Sequence, residues 1–310
     1  MSAPVLLRSN FGDLFGSAML PVLEEIFRSN LMMHPTRRAE LVKIVSTDRD
    51  IWQSSEVHDM PLYSEMAEGS EYSFDAPKEG AAKTLSIVKF GLGFSISEEA
   101  VDDGKFDFIA DAISKMAKSG VESQELQAMD LFNNGFGSQT TADGVSIFNS
   151  AHTLPRGGTY RNVLSTAADL SVSSLEQMLQ DYETQFVGDT GIIYKPTPKI
   201  LLVHPSNKRL AKELIGSDLK PETNDNNMNS FKEEGLRVVS SPHLSDSDAW
   251  FMLSDPSQHG LRIVSRKPIE TKAASPDSVG FLTDSIYYKA RYREKVGAIH
   301  GYAIMGTAGA

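Results

Sequence analysis

Residues 143 to 162, DGVSIFNSAHTLPRGGTYRN, gather a histidine, two arginines, a diglycine and several hydroxyls. A histidine moves protons, an arginine holds an anion, and glycines free backbone amides to face developing charge, so the stretch has the composition of a catalytic loop. Its spacing argues against that. Pro155, Gly157 and Gly158 are turn formers on either side of Arg156, close after His152. Asp169 and Ser173 belong to the start of the next helix. The expectation is a structural loop histidine. A hydrolase built from a serine, His152 and Asp169 is the enzymatic alternative to be tested.

Other chemistry-bearing patterns are weaker still. No G-x-x-x-x-G-K-[ST] phosphate loop and no G-x-S-x-G nucleophile elbow occurs. GLGFSI at 91–96 begins like a dinucleotide fingerprint but lacks the third glycine and lies inside a strand pattern. The seven histidines, at 34, 58, 152, 204, 243, 259 and 300, form no H-x-H or H-x-x-x-H pair to hold a metal. The acid pairs Glu98-Glu99 and Asp102-Asp103 read as a solvated helix start, where the dipole favours negative charge. No catalytic, cofactor-binding or metal-binding residue is therefore expected.

The elements around these residues follow from periodicity. The 310 residues suggest about two domains, with 40% hydrophobic side chains to build a core and no cysteine to staple it. A formal charge of −11 disfavours polyphosphate, and the basic spots Arg37-Arg38, Lys208-Arg209 and Lys289, Arg291, Arg293 are too short for a nucleic-acid arm. No basic n-region precedes a long apolar run and no 18-residue apolar stretch exists, so neither a standard signal peptide nor a membrane span is expected, and a cytosol is the default site of synthesis.

Leu20, Leu23, Ile26, Phe27 and Leu31 predict a short amphipathic helix after an extended arm at Arg8–Gly16. Alternation through Tyr72, Phe74 and Ala76, a turn at Pro77–Gly80, and resumed alternation from Leu85 predict a long bent hairpin with a charged tip at Lys78, Glu79 and Lys83. The apolar phase slips by one after Val88, as a β-bulge or a strong local twist would produce. Ser97 to Asn134 has helical period and would span roughly 50 to 55 Å if Gly104 and Gly120 do not break it. A second helix opens at a capping box at Ser173–Glu176, and KILLVHPSNKRLAKELI reads as buried strand, turn and a helix capped by Ser206. The asparagine-rich PETNDNNMNS loop, strands at LRVVSS and AWFMLS, and a long half-exposed strand near 286–293 complete an α+β class.

The succession FGLGFSISEEAVDDGKFDFIADAI, ELQAMDLFNNGF and DGVSIFNSAHTLPRGGTYRNVLSTAADLSVSSLEQML resembles the major capsid (major head) proteins of tailed bacteriophages, in the Mu-like group with the Hong Kong 97-type fold. The resemblance runs from about residue 55 to the end. It implies an N-terminal arm at 1–50, an E-loop hairpin at 51–97, a peripheral domain with a long spine helix at 98–164 and 261–310, and an axial domain at 165–260. It also implies hexamers and pentamers of one chain forming an icosahedral head around double-stranded DNA without sequence-specific binding. Portal, decoration and separate scaffolding proteins would be partners, since no leader segment is expected before the arm, and the virion would be assembled in the bacterial cytoplasm. The PETNDNNMNS loop would contribute to contacts around the symmetry axes. Some relatives crosslink subunits through lysine and asparagine; that pair is not matched here, so Lys78, Lys83 and Lys89 stand as surface lysines. An encapsulin-like nanocompartment shell is the alternative within the same fold.

Overall fold

The computed structural model describes residues 19–34, 36–57, 60–72, 74–76, 79–97, 99, 103, 106–154, 156–217, 229–273 and 285–310. The expected arm at 8–16 and most of the asparagine-rich loop lie outside these residues. Helices are α1 (Met19–Met33), α2 (Arg38–Leu41), α3 (Phe106–Asn133), α4 (Val172–Thr184) and α5 (Lys208–Gly216). Strands are β1 (Lys43–Ser46), β2 (Ile51–Val57), β3 (Glu79–Ser86), β4 (Val88–Ser97), β5 (His152–Thr153), β6 (Thr159–Tyr160), β7 (Ile200–Val203), β8 (Arg237–Ser240), β9 (Trp250–Leu253), β10 (Leu261–Ala273), β11 (Ser285–Ala298) and β12 (Ile304–Thr307).

Two compact units share the chain: 1–36, 87–125 and 265–294 form the first, and 37–86, 126–264 and 295–310 the second. In the first, Leu23 and Phe27 of α1, Ile109, Ile113 and Met116 of α3, and Ile96 and Tyr288 of β4 and β11 bury together. The three- and four-residue spacing of the helical members is what one apolar stripe requires. Strand β11 pairs antiparallel with β4, setting Tyr288 opposite Phe94 and Tyr292 opposite Phe90. These ring pairs approach to 5.8 and 5.1 Å between centroids. Strand β10, thirteen residues long, has no counterpart in the sequence-based expectation.

In the second unit a four-stranded sheet runs in the order β12-β9-β7-β8. Its faces sort by parity. Ile200 and Leu202 of β7, Phe251 and Leu253 of β9, and Ile304 of β12 enter one core with Leu131, Phe132 and Phe148. Leu201, Val203, Trp250, Met252 and Met305 enter another with Leu175, Met178 and Tyr182 of α4 and Leu214 of α5. A sheet covered on both sides needs apolar residues at every position, which is why ILLV and WFML are uninterrupted. Strands β7 and β8 are parallel with α5 between them, so one βαβ unit exists where no such rhythm was expected.

Several expectations are corrected. The hairpin's partner strand is not 72–76: β3 pairs with β2, from Ile51 opposite Ser86 to Val57 opposite Glu79, and Lys83 and Glu79 lie within a strand rather than at a tip. The phase slip is not a bulge in one strand but a change of partner, since Ile87 separates β3 from β4 and β4 pairs with β11. Ser97 is the last residue of β4, most of 98–105 lies outside the described residues, and α3 runs from Phe106, its 28 residues spanning about 42 Å. Gly120 does not break that helix; a Cβ there would lie 3.2 Å from Ile269, so the glycine fits a close approach.

The capping box lies two residues earlier than expected: Ser171 caps α4, accepting from the Ser174 amide while the Ser174 hydroxyl accepts from the Ser171 amide. Ser206 lies in a short 3-10 turn ahead of α5 rather than at its cap. Leu41 and Val42 are fully buried in the second unit. Strand β12 pairs with β9, which places 304–307 in the sheet of the 165–260 span.

After α3, Gly135 passes so close to its neighbours that a Cβ would meet the Leu131 carbonyl at 2.5 Å and the Phe148 ring at 2.7 Å. Neither partner has room to move, because Phe148 is packed among Phe132, Phe136 and Phe251. Gly135→Ala is expected to cost about 1 to 3 kcal/mol, read as a lower midpoint in urea unfolding, whereas Gly137→Ala, with nothing within 4 Å, stays within about 0.5 kcal/mol.

Candidate functional site

The loop after α3 puts His152 on β5 and Tyr160 on β6, two short strands that pair residue for residue. The imidazole is wholly buried and stacked on the Tyr160 ring at 4.8 Å. Its Nδ1 donates to Asp143 Oδ2 at 2.8 Å. Its Nε2 lies 3.2 Å from the Ile147 carbonyl oxygen, which also accepts from Asn162 Nδ2 at 2.7 Å. Asn162 is itself buried, accepts from the Asn149 amide at 2.8 Å and reaches the Gly301 carbonyl at 3.2 Å. Gly301 fits here because a Cβ would lie 2.7 Å from Asn162 Nδ2 and 2.8 Å from His152 Nε2. Both ring nitrogens are thus committed to holding loop backbone and carboxylate in place.

Asp143 completes the knot. Burial works to raise its carboxyl, but bonds from His152, Thr141 and the Val145 amide prevail and hold it below the ordinary carboxylate value. Asp169, the alternative triad acid, is elsewhere: its Oδ1 accepts from the Ala310 amide at 2.9 Å. With His152 sealed from solvent and its nitrogens turned to Asp143 and Ile147, the serine–His152–Asp169 hydrolase is not assembled.

Lys83 is not the surface lysine it was expected to be. From β3 its Nζ donates to the Thr140 carbonyl at 2.6 Å and the Thr140 hydroxyl at 3.0 Å. Burial lowers its pKa, Lys295 adds to that, and Asp143 opposes it. The ammonium thereby ties the base of the β2–β3 hairpin to the same loop as Asp143 and His152. Sequence spacing held no signal for this, since 57 residues separate the partners.

Two further histidines share a buried setting with Arg262. Burial first, and Arg262 next, push His259 down to about 3 and His300 to about 4. Gly260 makes this packing possible, since a Cβ there would lie 2.2 Å from the His300 carbonyl. Among the described residues no group of three or more histidine, aspartate or glutamate side chains is placed to hold a metal. No helix among them is long and apolar enough to cross a membrane.

The largest unsatisfied feature is apolar. Among the described residues of 60–76, between β2 and β3 in sequence, none is in a strand or helix, and Met60, Leu62, Tyr63, Met66, Tyr72 and Phe74 are exposed. Phe74 is 93% exposed and Tyr72 75%, so in water these side chains forgo roughly 1.5 to 3 kcal/mol of burial each. Met32 and Met33 at the end of α1 and Phe108 on α3 are likewise exposed. Patches of this kind mark surfaces made for protein contact.

Residues 80–304 match the family model described as phage capsid protein, well over half of the chain. The chain belongs to the phage capsid protein family and is a structural capsid subunit. No curated protein matches it in sequence.

Solved structures share the fold at low identity. The capsid of cyanophage P-SCSP1u is 10% identical, with TM-score 0.61 over 89% of this chain and 88% of that one. The mature capsid of bacteriophage PhiM1 is 14% identical, with TM-score 0.55 over 89% and 87%. A virus-like particle from Pyrococcus furiosus is 10% identical, with TM-score 0.55 over 94% and 100%.

The depressed histidines set a sign for pH. The unfolded chain takes up protons near 6.5 while the folded one resists until about 4 or 3, so the stability these neutral rings contribute is complete above pH 6.5 and drains below it. Each such ring is expected to remove about 1.4 kcal/mol per pH unit in that window. Urea midpoints of the unassembled chain between pH 7 and pH 4.5 measure this, and His259→Gln or His300→Gln should flatten the slope.

Proposed function

We propose that this subunit belongs to the Mu-like, Hong Kong 97-type group and assembles through hexamers and pentamers into an icosahedral head enclosing double-stranded DNA. The observation that carries the proposal is the bare apolar 60–76 connection at the end of the β2–β3 hairpin, on a chain of the phage capsid family. In this reading the hairpin is the E-loop, α3 the spine helix, and the β12-β9-β7-β8 sheet with α4 and α5 the axial domain. Six large apolar side chains on a connection without regular structure find cover on neighbouring copies, as repeated closed contacts require. The likeness in fold to the PhiM1 and cyanophage P-SCSP1u capsids supports self-assembly. The −11 formal charge suits a container wall that does not grip its contents through counterion release.

Portal, scaffolding and decoration proteins complete the set of partners, and assembly takes place in the bacterial cytoplasm. A nanocompartment shell is the second reading, supported by the fold's likeness to the virus-like particle from Pyrococcus furiosus. Particles isolated from the natural source separate the two: nuclease-protected DNA supports the head, and a protein cargo without DNA supports the compartment.

The contact role of 60–76 has a direct check by size-exclusion chromatography and negative-stain microscopy. Purified chain should yield particles or capsomer-sized rings. Tyr63→Ser with Phe74→Ser should leave the monomer's unfolding midpoint within about 0.5 kcal/mol, because exposed side chains contribute little to it, while abolishing particles. A wild-type chain that stays a rigid monomer at high concentration overturns the assembly reading.

A further inference from the structure

The apolar connection is held back by charge. Asp75, next to the 93%-exposed Phe74, places Oδ2 2.6 Å from Arg156 Nη2 across 81 residues of sequence. Arg156 stands on the turn between β5 and β6, and its Nε also lies 3.4 Å from Asp189 Oδ2. The exposures differ in a telling way: Asp189 is 2% exposed, Arg156 25% and Asp75 29%. The buried carboxylate keeps the guanidinium aimed, and the half-exposed one meets it from the hairpin side. Two hydrogen bonds, Ser70 to the Ala67 carbonyl and the Ala76 amide to Asp75, lie within the segment.

We propose that Asp75 and Arg156 form a clasp that parks the 60–76 connection on its own subunit until another copy covers its apolar side chains. The β2–β3 stem is anchored separately, by Lys83 on Thr140, so opening the clasp frees the connection and leaves the stem in place. A partly exposed ion pair is weak and salt-screened, which suits a fastening that a larger apolar contact must outcompete. Arg156 does not lose its setting when the clasp opens, because Asp189 remains beside it, so closing requires no rebuilding of the site. The effect on assembly rests on the reading of 60–76 as the contact arm; the clasp itself does not.

Hydrogen exchange on the full-length chain, kept dilute enough to remain unassembled, tests the clasp. Asp75→Asn is expected to raise exchange of peptides within 60–76 roughly three- to fivefold, the range of a partly exposed ion pair. Asp75→Glu should recover most of the protection, and 0.5 M salt should raise exchange of the native chain toward the Asn variant. Peptides covering 143–153 should be unchanged, which shows that the variant is folded. Arg156→Lys gives an independent opening of the same clasp from its other side. Exchange within 1.5-fold of the native chain for both Asp75→Asn and Arg156→Lys overturns the clasp. Light scattering then reads assembly: faster onset in Asp75→Asn than in the native chain supports its restraint on assembly, and equal onset overturns that restraint while the exchange result stands. If no chain assembles at all, the capsid reading fails and the exchange data still decide the clasp.

Discussion

The structure turns on one constraint, that a strand edge pairs only once. Residues 79–97 form almost continuous extended chain, yet at Ile87 the backbone gives up one partner and takes another. Before it, β3 spends its hydrogen bonds on β2; after it, β4 spends them on β11. Between β2 and β3 the described residues of 60–76 belong to no strand, and the apolar side chains of Met60, Leu62, Tyr63, Met66, Tyr72 and Phe74 are exposed. Because β4 is committed to β11, the first unit gains a strand that carries Phe94 and Ile96 into its core.

The loop that resembles an active site performs a related task. Chain leaving α3 at Asn133 has to turn past Phe148, close the β5–β6 pair and deliver residues 162–170 to the central sheet. Backbone turns carry part of this path, and buried side chains add to them: His152, Asn162 and Asp143 bond to backbone and to one another, and Gly301 gives them room. Buried polar groups are tolerated only when satisfied in this way. A histidine, carboxylate and amide in contact are also what catalysis uses, and solvent exclusion at His152 distinguishes the two cases here.

Charge is spent economically. Lys83 and Arg156 are both drawn from their solvent to hold the hairpin region, one at its stem and one at its connection. Arg262 is packed among two neutral histidines, an arrangement stable only while they stay unprotonated. The stability contributed by these neutral rings is therefore complete above pH 6.5.

The sequence by itself determined the elements whose periodicity is local: α1, the stripe of α3, the two buried runs ILLV and WFML, and the alternating β11. It also carried the capsid resemblance, and it argued against catalysis at His152 from turn residues alone. What only the tertiary structure decided were partners. The slip after Val88 was visible, but strand β2 at 51–57 and strand β10 at 261–273 were not, because mixed polar and apolar residues such as IWQSSEV follow neither period cleanly. The roles of Lys83, Asp143 and Asp75 were hidden for a different reason: each is set by a contact with chain far away or by a turn that brings two loops together. Local side-chain pattern encodes which face is buried, whereas pairing is settled by competition among all available edges and charges, and that competition takes place only in the folded chain.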